Sequence, residues 1–320
     1  MDARPQRSSS RSGPVLLAFD QRFQIGWMHL PASDSPHQNG SSSVTAGARR
    51  PGAVRVLAQS LLERASRTRS EPMSPEGLAA DAVVIAPHPD DETLGCGGTV
   101  LRKRALGAKV AVIFLTDGTA SHQHLVSAER LAGERELEAL AATAVLGIDP
   151  SAVHFLRVPD TQLAQHIEAT LPRVVELLEQ YRPAQVYAPF RRDGLADHVA
   201  AARIAESAAT AVGVSELLGF PVWFWNHWPW LRPVAGMVDP PRRRVTKSLA
   251  GARALFRELR VHVEIAEQMQ TKAEALACHR SQMQRRDGDP AWPTLADVAD
   301  GDFLSRLLRD REIFARRSLR

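Results

Sequence analysis

The stretch that decides the fold is VVIAPHPDDETLGCGG, at residues 83–98. Four apolar residues without polar alternation, 83–86, are typical of a strand that is buried on both faces of a parallel sheet. The strand ends at the Pro-His-Pro of residues 87–89, and small residues then open a helix predicted over 99–106. Ligands bind at the carboxyl ends of such strands. The turn therefore lies where a functional site is expected.

One imidazole and three carboxylates crowd this turn, namely His88, Asp90, Asp91 and Glu92. Packing alone gives little reason for the cluster, because charged side chains are rarely buried without partners. A divalent metal ion would neutralise the mutual repulsion of the carboxylates. We interpret the cluster as a metal site.

Strand and helix patterns alternate four times along the chain. Further strands are predicted over 109–116, 153–158 and 185–189, and helices over 128–146, 167–181 and 199–212. This alternation predicts an α/β fold with a parallel sheet and right-handed crossovers. Polar clusters follow the strands, so one crevice at the sheet edge would gather them.

The pattern changes beyond residue 215. Residues 220–230, FPVWFWNHWPW, contain four of the six tryptophans and predict a strand. Two interpretations stay open for this segment, a hydrophobic strand that seals the sheet or a surface on which a sugar stacks. Helices are predicted over 252–277 and 301–309.

The two ends of the chain differ in composition from the middle. Residues 1–50 are rich in Ser, Arg, Pro and Gly and predict a flexible N-terminal arm, while 51–320 predict one catalytic domain. The net charge of +4 would suit an anionic partner. No nucleic-acid motif accompanies this charge, so nucleic-acid binding is not expected.

Cysteine content and hydropathy indicate the compartment. Cys96 and Cys278 are the two cysteines of the sequence and cannot form a disulfide scaffold, which suits a reducing compartment. No apolar run reaches the ~18 residues of a membrane span, and no signal peptide is recognisable. We therefore predict a cytoplasmic protein without a membrane span.

Two motifs carry a resemblance to a known family. APHPDDE at residues 86–92 resembles the (A/P)HPDDE signature of the LmbE-like, or PIG-L, family of zinc-dependent N-deacetylases. DGLADH at 193–198 is similar to the second motif of that family, usually DGHPDH. The resemblance covers roughly residues 54–315. It implies a Rossmann-like three-layer sandwich with a mostly parallel sheet, the LmbE-like deacetylase fold.

The resemblance implies a zinc site and a general base. His88, Asp91 and His198 would hold Zn²⁺, which agrees with the three protein ligands and one open position of catalytic zinc sites. Asp90, adjacent to these ligands, would take the proton of the attacking water. Glu92 is expected to cap the following helix or to orient a ligand rather than to bind zinc.

Three further residues are assigned to substrate binding by the resemblance. Arg135 matches an arginine that contacts substrate, although an exposed arginine paired with Glu138 is an open alternative. Asp160 matches an acidic residue that holds sugar hydroxyls, with a turn-forming aspartate as its alternative. Asp197 of the second motif is assigned to substrate as well.

One position departs from the family pattern. Leu195 stands where the second motif has a histidine that stabilises the oxyanion or protonates the leaving amine, and losing such a group costs about a hundredfold in rate. Three explanations of this departure are open. Another histidine takes over the function, zinc alone is sufficient for an easier substrate, or the protein is a weak enzyme. The candidate substitutes are His122, His124, His227 and His279.

These observations predict a hydrolase that removes an N-acetyl, or other N-acyl, group from a small-molecule amino sugar or glycoconjugate. An oligomer is compatible with the sequence. Two alternatives remain, an amidase for a lipidated or bulky natural product that residues 220–230 would suit, and a non-catalytic sugar-binding or metal-binding relative. A dinucleotide-binding protein is disfavoured because no G-x-G-x-x-G follows the first strand.

Overall fold

The computed structural model describes residues 52–231 and 240–319. The predicted arm at residues 1–50 lies outside the described residues. Within the two described ranges, no helix is long and apolar enough to cross a membrane.

Eight strands of the described ranges form one sheet. In chain order they are β1 (Glu71–Pro72), β2 (Ala82–Ala86), β3 (Val110–Thr116), β4 (Val153–Val158), β5 (Gln185–Pro189), β6 (Glu216–Phe220), β7 (Leu259–Glu264) and β8 (Arg311–Ser318). The sheet order is β1-β7-β8-β6-β5-β2-β3-β4, and neighbouring strands are parallel except where β8 pairs with β6 and β7. The mostly parallel sheet confirms the predicted α/β fold class.

Two helices begin earlier than the sequence predicts. The helices are α1 (Ala53–Arg69), α2 (Pro75–Ala79), α3 (Asp91–Ala105), α4 (Ala128–Val145), α5 (Ile167–Tyr181), α6 (Ala196–Val212), α7 (Pro241–Arg257), α8 (Met269–Ala277), α9 (Arg280–Met283) and α10 (Asp302–Leu307). The glycines near the start of α3 are poor helix formers, which hides its first turn from a sequence pattern. Asp91 and His198 consequently lie in the first turns of α3 and α6, at the edge of the sheet.

Helices cover both faces of the sheet. Along β2, Val84 and Ala86 belong to one hydrophobic cluster, and Val83 and Ile85 belong to another. The first cluster includes side chains of α3 and α8, and the second includes side chains of α5 and α6. This alternation places a layer of helices on each side, which confirms the predicted three-layer sandwich.

The prediction of a strand over 220–230 is wrong. β6 ends at Phe220, Pro221 follows, and Trp223–Trp225 form a short 3-10 helix. Aromatic residues favour strands, and this led to the prediction. Prolines within the segment lack the N–H donors that a central strand requires.

The prediction of one helix over 252–277 is also wrong, because β7 separates α7 from α8. Side chains of β7 alternate between buried and partly or fully exposed positions, the period-2 pattern of a strand. The sequence analysis did not predict β8 either. The four arginine and glutamate residues within REIFARRS obscure its strand character, while the predicted helix over 301–309 is observed as α10.

A buried ion pair ties three elements together behind the sheet edge. Lys272 Nζ on α8 lies 2.7 Å from Glu312 Oε1 on β8 and also donates to the carbonyl oxygens of Leu94 and Leu307. The other carboxylate oxygen of Glu312 accepts from the backbone N–H and hydroxyl of Thr99 in α3. Removing one partner would leave an uncompensated buried charge, which is strongly destabilising.

We expect the Lys272→Met variant to lose about 3–5 kcal/mol of the free energy of unfolding, because Glu312 would stay buried without its partner. Urea denaturation monitored by circular dichroism measures this loss of the free energy of unfolding. Arg130→Met is the matched control, since Arg130 forms an exposed pair with Glu134 and such pairs contribute about 0–1 kcal/mol. Equal midpoints for the two variants would contradict the prediction.

Candidate metal centre

His88 lies in the turn between β2 and α3 and contacts three carboxylates. Its Nδ1 atom lies 3.1 Å from Asp91 Oδ2, and its backbone N–H also donates to that oxygen. Its Nε2 atom lies 3.1 Å from Asp160 Oδ1 and 3.5 Å from Asp197 Oδ2. Burial would lower the pKa of His88, but these carboxylates, led by Asp160, raise it well above its usual value.

His198, in the first turn of α6, approaches the same carboxylate from the other side. Its Nε2 atom lies 3.3 Å from Asp91 Oδ2, and the rings of His88 and His198 are 5.4 Å apart between centroids. Its Nδ1 atom lies 2.7 Å from Asp193 Oδ2. His198 is fully buried, and although burial would lower its pKa, Asp91 and Asp193 raise the pKa to about 9.

Asp193 is a site residue that the sequence analysis did not assign. It is fully buried, and its carboxylate accepts backbone N–H groups from Val222, Trp223 and Phe224. These contacts hold the carboxylate in one orientation against His198 Nδ1. Its position as the first residue of the second motif, five residues before His198, could have indicated Asp193 as a site residue.

The donor atoms of His88, Asp91 and His198 fit a metal ion. These atoms all lie within 4.8 Å of one another. Neither ring nitrogen of His198 makes a hydrogen bond among the described residues. When the ring is neutral with its proton on Nδ1, toward Asp193, it presents the lone pair of Nε2 to Asp91. A lone pair that faces a carboxylate oxygen at 3.3 Å is repelled unless a cation or a proton lies between them. The three predicted ligands therefore converge as a metal site requires.

Asp90 lies beside these donors and faces the cavity. Its side chain is buried, and burial together with the charge of Asp91 raises the pKa of Asp90 to about 8. The backbone at Asp90 has a φ of 130°, a strained conformation for a residue other than glycine, and such strain clusters at functional sites. The Asp90 N–H donates to Glu92 Oε2, 3.0 Å away, which holds this turn.

Glu92 serves the turn rather than the metal donors. Its Oε1 atom accepts from the Thr93 hydroxyl at 2.6 Å and lies 3.1 Å from His279 Nε2. Both Glu92 and His279 are fully buried. Glu92 is absent from the described groups of residues that could hold a metal ion, which agrees with the predicted orienting function.

Arg135 on α4 is buried at the cavity rather than exposed. Its Nη1 donates to the Gly118 carbonyl, and its Nη2 donates to Ser121 Oγ at 2.9 Å. Glu138 instead accepts from the backbone N–H and hydroxyl of Ser281. The alternative of an exposed Arg135–Glu138 pair is therefore wrong, and the structure brings Arg135 to the site.

Asp160 and Asp197 occupy different positions relative to the cavity. Asp160 lines it, and its Oδ2 atom accepts from the Ala120 N–H at 2.9 Å. Asp197 is fully buried and accepts backbone N–H groups from Thr161 and Leu163. This arrangement favours a role for Asp197 in positioning His88 over the predicted substrate contact.

The cavity has a charged floor and an apolar wall. The floor contains the ionisable residues His88, Asp90, Asp91, Arg135 and Asp160. The wall contains Leu195, Trp223, Leu295 and Phe303, and the rings of Trp223 and Phe303 stack with centroids 4.5 Å apart. Of the predicted aromatic segment, Trp223 thus lines the cavity, whereas Phe224, Trp225 and Trp230 are buried in the core.

Within the described ranges, no histidine takes the place of the one that the motif has at Leu195. Leu195 lines the cavity, and His88 is the one histidine of the described ranges that does so. None of the four candidates, His122, His124, His227 and His279, lines the cavity. His122 contacts the Pro293 carbonyl and Ser121 Oγ, His227 contacts the Phe224 carbonyl, and His279 contacts Glu92. The first of the three explanations for Leu195 finds no support in this geometry.

Comparisons with known proteins agree with the motifs. Residues 83–209 match the family model described as PIG-L: GlcNAc-PI de-N-acetylase. The chain is 28% identical over 241 residues to a 1D-myo-inositol 2-acetamido-2-deoxy-alpha-D-glucopyranoside deacetylase of Mycobacterium sp. (strain JLS), covering 64% of this chain and 75% of that relative. It is 33% identical over 106 residues to a diacetylchitobiose deacetylase of Thermococcus kodakarensis, covering 33% of this chain and 39% of that relative.

A solved structure shares the fold. It is the N,N'-diacetylchitobiose deacetylase from Pyrococcus horikoshii, complexed with its inhibitor MPG. The similarity covers 85% of this chain and 95% of that chain, with a TM-score of 0.55 and 18% sequence identity. At this identity the likeness supports the fold alone.

Proposed function

We propose that this chain, which contains a domain of the PIG-L/LmbE-like family, is a metal-dependent N-deacetylase acting on an amino sugar or glycoconjugate. The observation that carries the proposal is the convergence of the donor atoms of His88, Asp91 and His198. Two of these residues, His88 and Asp91, line the same cavity as Asp90, and His198 is buried behind them. Both curated relatives are named as deacetylases of N-acetylated sugars. We further propose that residues 51–320 form one catalytic domain.

We propose Zn²⁺ as the metal, because two imidazole nitrogens and one carboxylate oxygen are a donor set that catalytic zinc sites use. When bound, zinc supplies Lewis acidity, which polarises the amide carbonyl and lowers the pKa of water. His88, Asp91 and His198 hold the ion. Asp193 keeps His198 in the tautomer that leaves Nε2 free to bind, as carboxylates beside metal-binding histidines do.

Asp90 moves the proton that the reaction requires. Its carboxylate takes a proton from the water molecule that attacks the amide carbon, and later donates it to the leaving nitrogen. Asp90 lines the cavity beside the proposed metal donors, so one carboxylate can serve both proton transfers. The C–O bond forms, the C–N bond breaks, and the products are acetate and a free amine.

The remaining cavity residues orient the substrate in this proposal. Arg135 lines the floor, so its guanidinium group can donate to a substrate oxygen. Asp160 offers a carboxylate to a sugar hydroxyl. The stacked rings of Trp223 and Phe303 provide an apolar surface for a sugar ring. Asp197 positions His88 from behind.

Removing the metal tests this function. We expect the purified full chain to release amine from N-acetylglucosamine conjugates, and a chelator to lower the rate at least about 100-fold. Adding zinc back should restore the rate. Amine release that is insensitive to the chelator would contradict the proposal, as would a zinc-loaded protein that hydrolyses none of a panel of monosaccharide, disaccharide and inositol-linked substrates.

The Leu195→His variant tests whether the missing histidine limits the rate. The new imidazole would face the cavity and could stabilise the oxyanion or protonate the leaving amine, so we expect kcat to rise about 10–100-fold. Leu195→Phe is the matched control, because it adds an aromatic ring without a proton donor. An unchanged kcat at full metal content would show that the histidine is dispensable for this substrate.

A further inference from the structure

Exposed apolar side chains concentrate on one part of the surface. Among the described residues, seven of the ten large hydrophobic side chains that are exposed lie on α1, on α7 or at Trp228. On α1, Val54, Leu57 and Leu61 are spaced three and four residues apart and are 76%, 61% and 57% exposed. This spacing places them on one face of the helix. A row of three exposed large apolar residues indicates an interaction surface.

α7 adds a second apolar pair within a strongly basic helix. Val245 and Leu249 lie four residues apart and are 59% and 66% exposed. The helix has no aspartate or glutamate and carries six cations, Arg242, Arg243, Arg244, Lys247, Arg253 and Arg257. Arg242 and Arg253 extend the Val245–Leu249 row at both ends, three and four residues away. α1 and α7 contact one another.

We propose that α1 and α7 form a docking face for an anionic phospholipid surface. A basic helix with an exposed apolar row is the pattern of helices that lie in the plane of a membrane interface. The cations would contact lipid phosphates, and the apolar side chains would enter the boundary between headgroups and acyl chains. The face then binds at the surface without a spanning helix, and the inference goes beyond the proposed deacetylase function.

Charge complementarity favours this partner over the two others. A second copy of the chain would bring another α7 with six cations and no carboxylate to the same face, so like charges would repel. A nucleic acid would contact the cations but would leave Val245 and Leu249 in water, because phosphates dominate such binding. A lipid surface uses both kinds of side chain.

The docking face is connected to the wall of the cavity. Arg55 on α1 donates to the carbonyl oxygens of Pro229 and Trp230 and pairs with Asp302 at 2.7 Å. Asp302 precedes Phe303, whose ring stacks on Trp223 in the cavity wall. α1 is therefore joined, through the buried Arg55, to the residue that precedes Phe303 of the cavity wall.

Vesicle co-sedimentation of the full chain tests the proposal. We expect the protein to pellet with vesicles of phosphatidylcholine mixed with phosphatidylglycerol, and to stay in the supernatant with vesicles of phosphatidylcholine alone. The Val245→Asp, Leu249→Asp double variant should bind the anionic vesicles about tenfold more weakly, because it removes apolar contacts and adds negative charge. Leu137→Asp on α4 is the matched control, since Leu137 is 70% exposed and lies on another helix.

Several results would overturn the proposal. One is the absence of pelleting with anionic vesicles, and another is an equal loss of binding in the Leu137→Asp control. Binding that survives the double substitution but is displaced by duplex DNA would indicate a nucleic-acid surface. A dimer in size-exclusion chromatography that the double substitution converts to a monomer, without vesicle binding, would indicate a second copy as the partner.

Discussion

We expect the Asp90→Asn variant to lose about 10²–10⁴-fold in kcat while it keeps its metal. Asp90 faces the cavity, and its side chain is not among the converging donor atoms of His88, Asp91 and His198. Asparagine has nearly the same volume but cannot take a proton from water. The substitution also removes a buried carboxyl that lies beside Asp91, so we expect no loss of stability.

Two measurements on the same sample separate this prediction from a simple loss of structure. Elemental analysis gives the metal content, and amine release under saturating substrate gives kcat. Asp149→Asn is the matched control, because Asp149 is exposed and does not line the cavity. A kcat equal to that of the wild type would remove Asp90 from the role of general base.

The second large effect is expected for the His198→Ala variant, which should bind zinc at least about 100-fold more weakly. The substitution deletes one of the three converging donors and leaves Asp193 without the imidazole that it orients. Competition with a chromophoric chelator measures the change in Kd. Thermal unfolding without metal shows whether the variant is still folded.

The Asp193→Asn variant adds a graded comparison. It keeps His198 and changes the group that fixes its tautomer, so we expect a loss of zinc affinity of about 10–100-fold, smaller than that of His198→Ala. An ordered series of wild type, Asp193→Asn and His198→Ala would support the proposed geometry. Zinc binding by His198→Ala with the wild-type Kd would contradict the assignment of the second motif.

The convergence of the proposed metal donors could be predicted from the sequence because a parallel sheet brings the ends of its strands together. His88 and Asp91 follow β2 directly, and His198 lies in the helix that follows β5. β2 and β5 are neighbours in the sheet. The fold class therefore brings residues about a hundred positions apart in the sequence to one edge of the sheet. The two motifs indicate which residues these are.

The contacts that orient the site residues could not be predicted from the sequence in the same way. Asp193 reaches His198 because its carboxylate is held by three backbone N–H groups of residues 222–224, and a loop geometry of this kind has no periodic signal in the sequence. The pairing of His279 with Glu92 joins α3 to a segment 187 residues later. For Asp197, sequence position could not distinguish a carboxylate that faces substrate from one that lies behind His88.

Two of the errors in the fold concern the antiparallel pair β7 and β8 and have a common cause. β7 and β8 pair with each other, so each has one side determined by a partner distant in sequence. The parallel strands β2 and β3 are buried at every position and are apolar apart from Thr116, so their sequences already indicate strands. β8 carries arginines at positions 311, 316 and 317, and its register against β6 and β7 is what makes it a strand.

The measurement that tests the central claim most directly is X-ray absorption spectroscopy at the zinc edge, on the full chain loaded with one equivalent of zinc. We predict a first shell of nitrogen and oxygen at about 2.0–2.2 Å, with the outer-shell signature of two imidazoles and no sulfur. A shell containing sulfur at about 2.3 Å would place the metal at Cys96 or Cys278, and a protein that retains no zinc would leave His88, Asp91 and His198 without the role assigned to them.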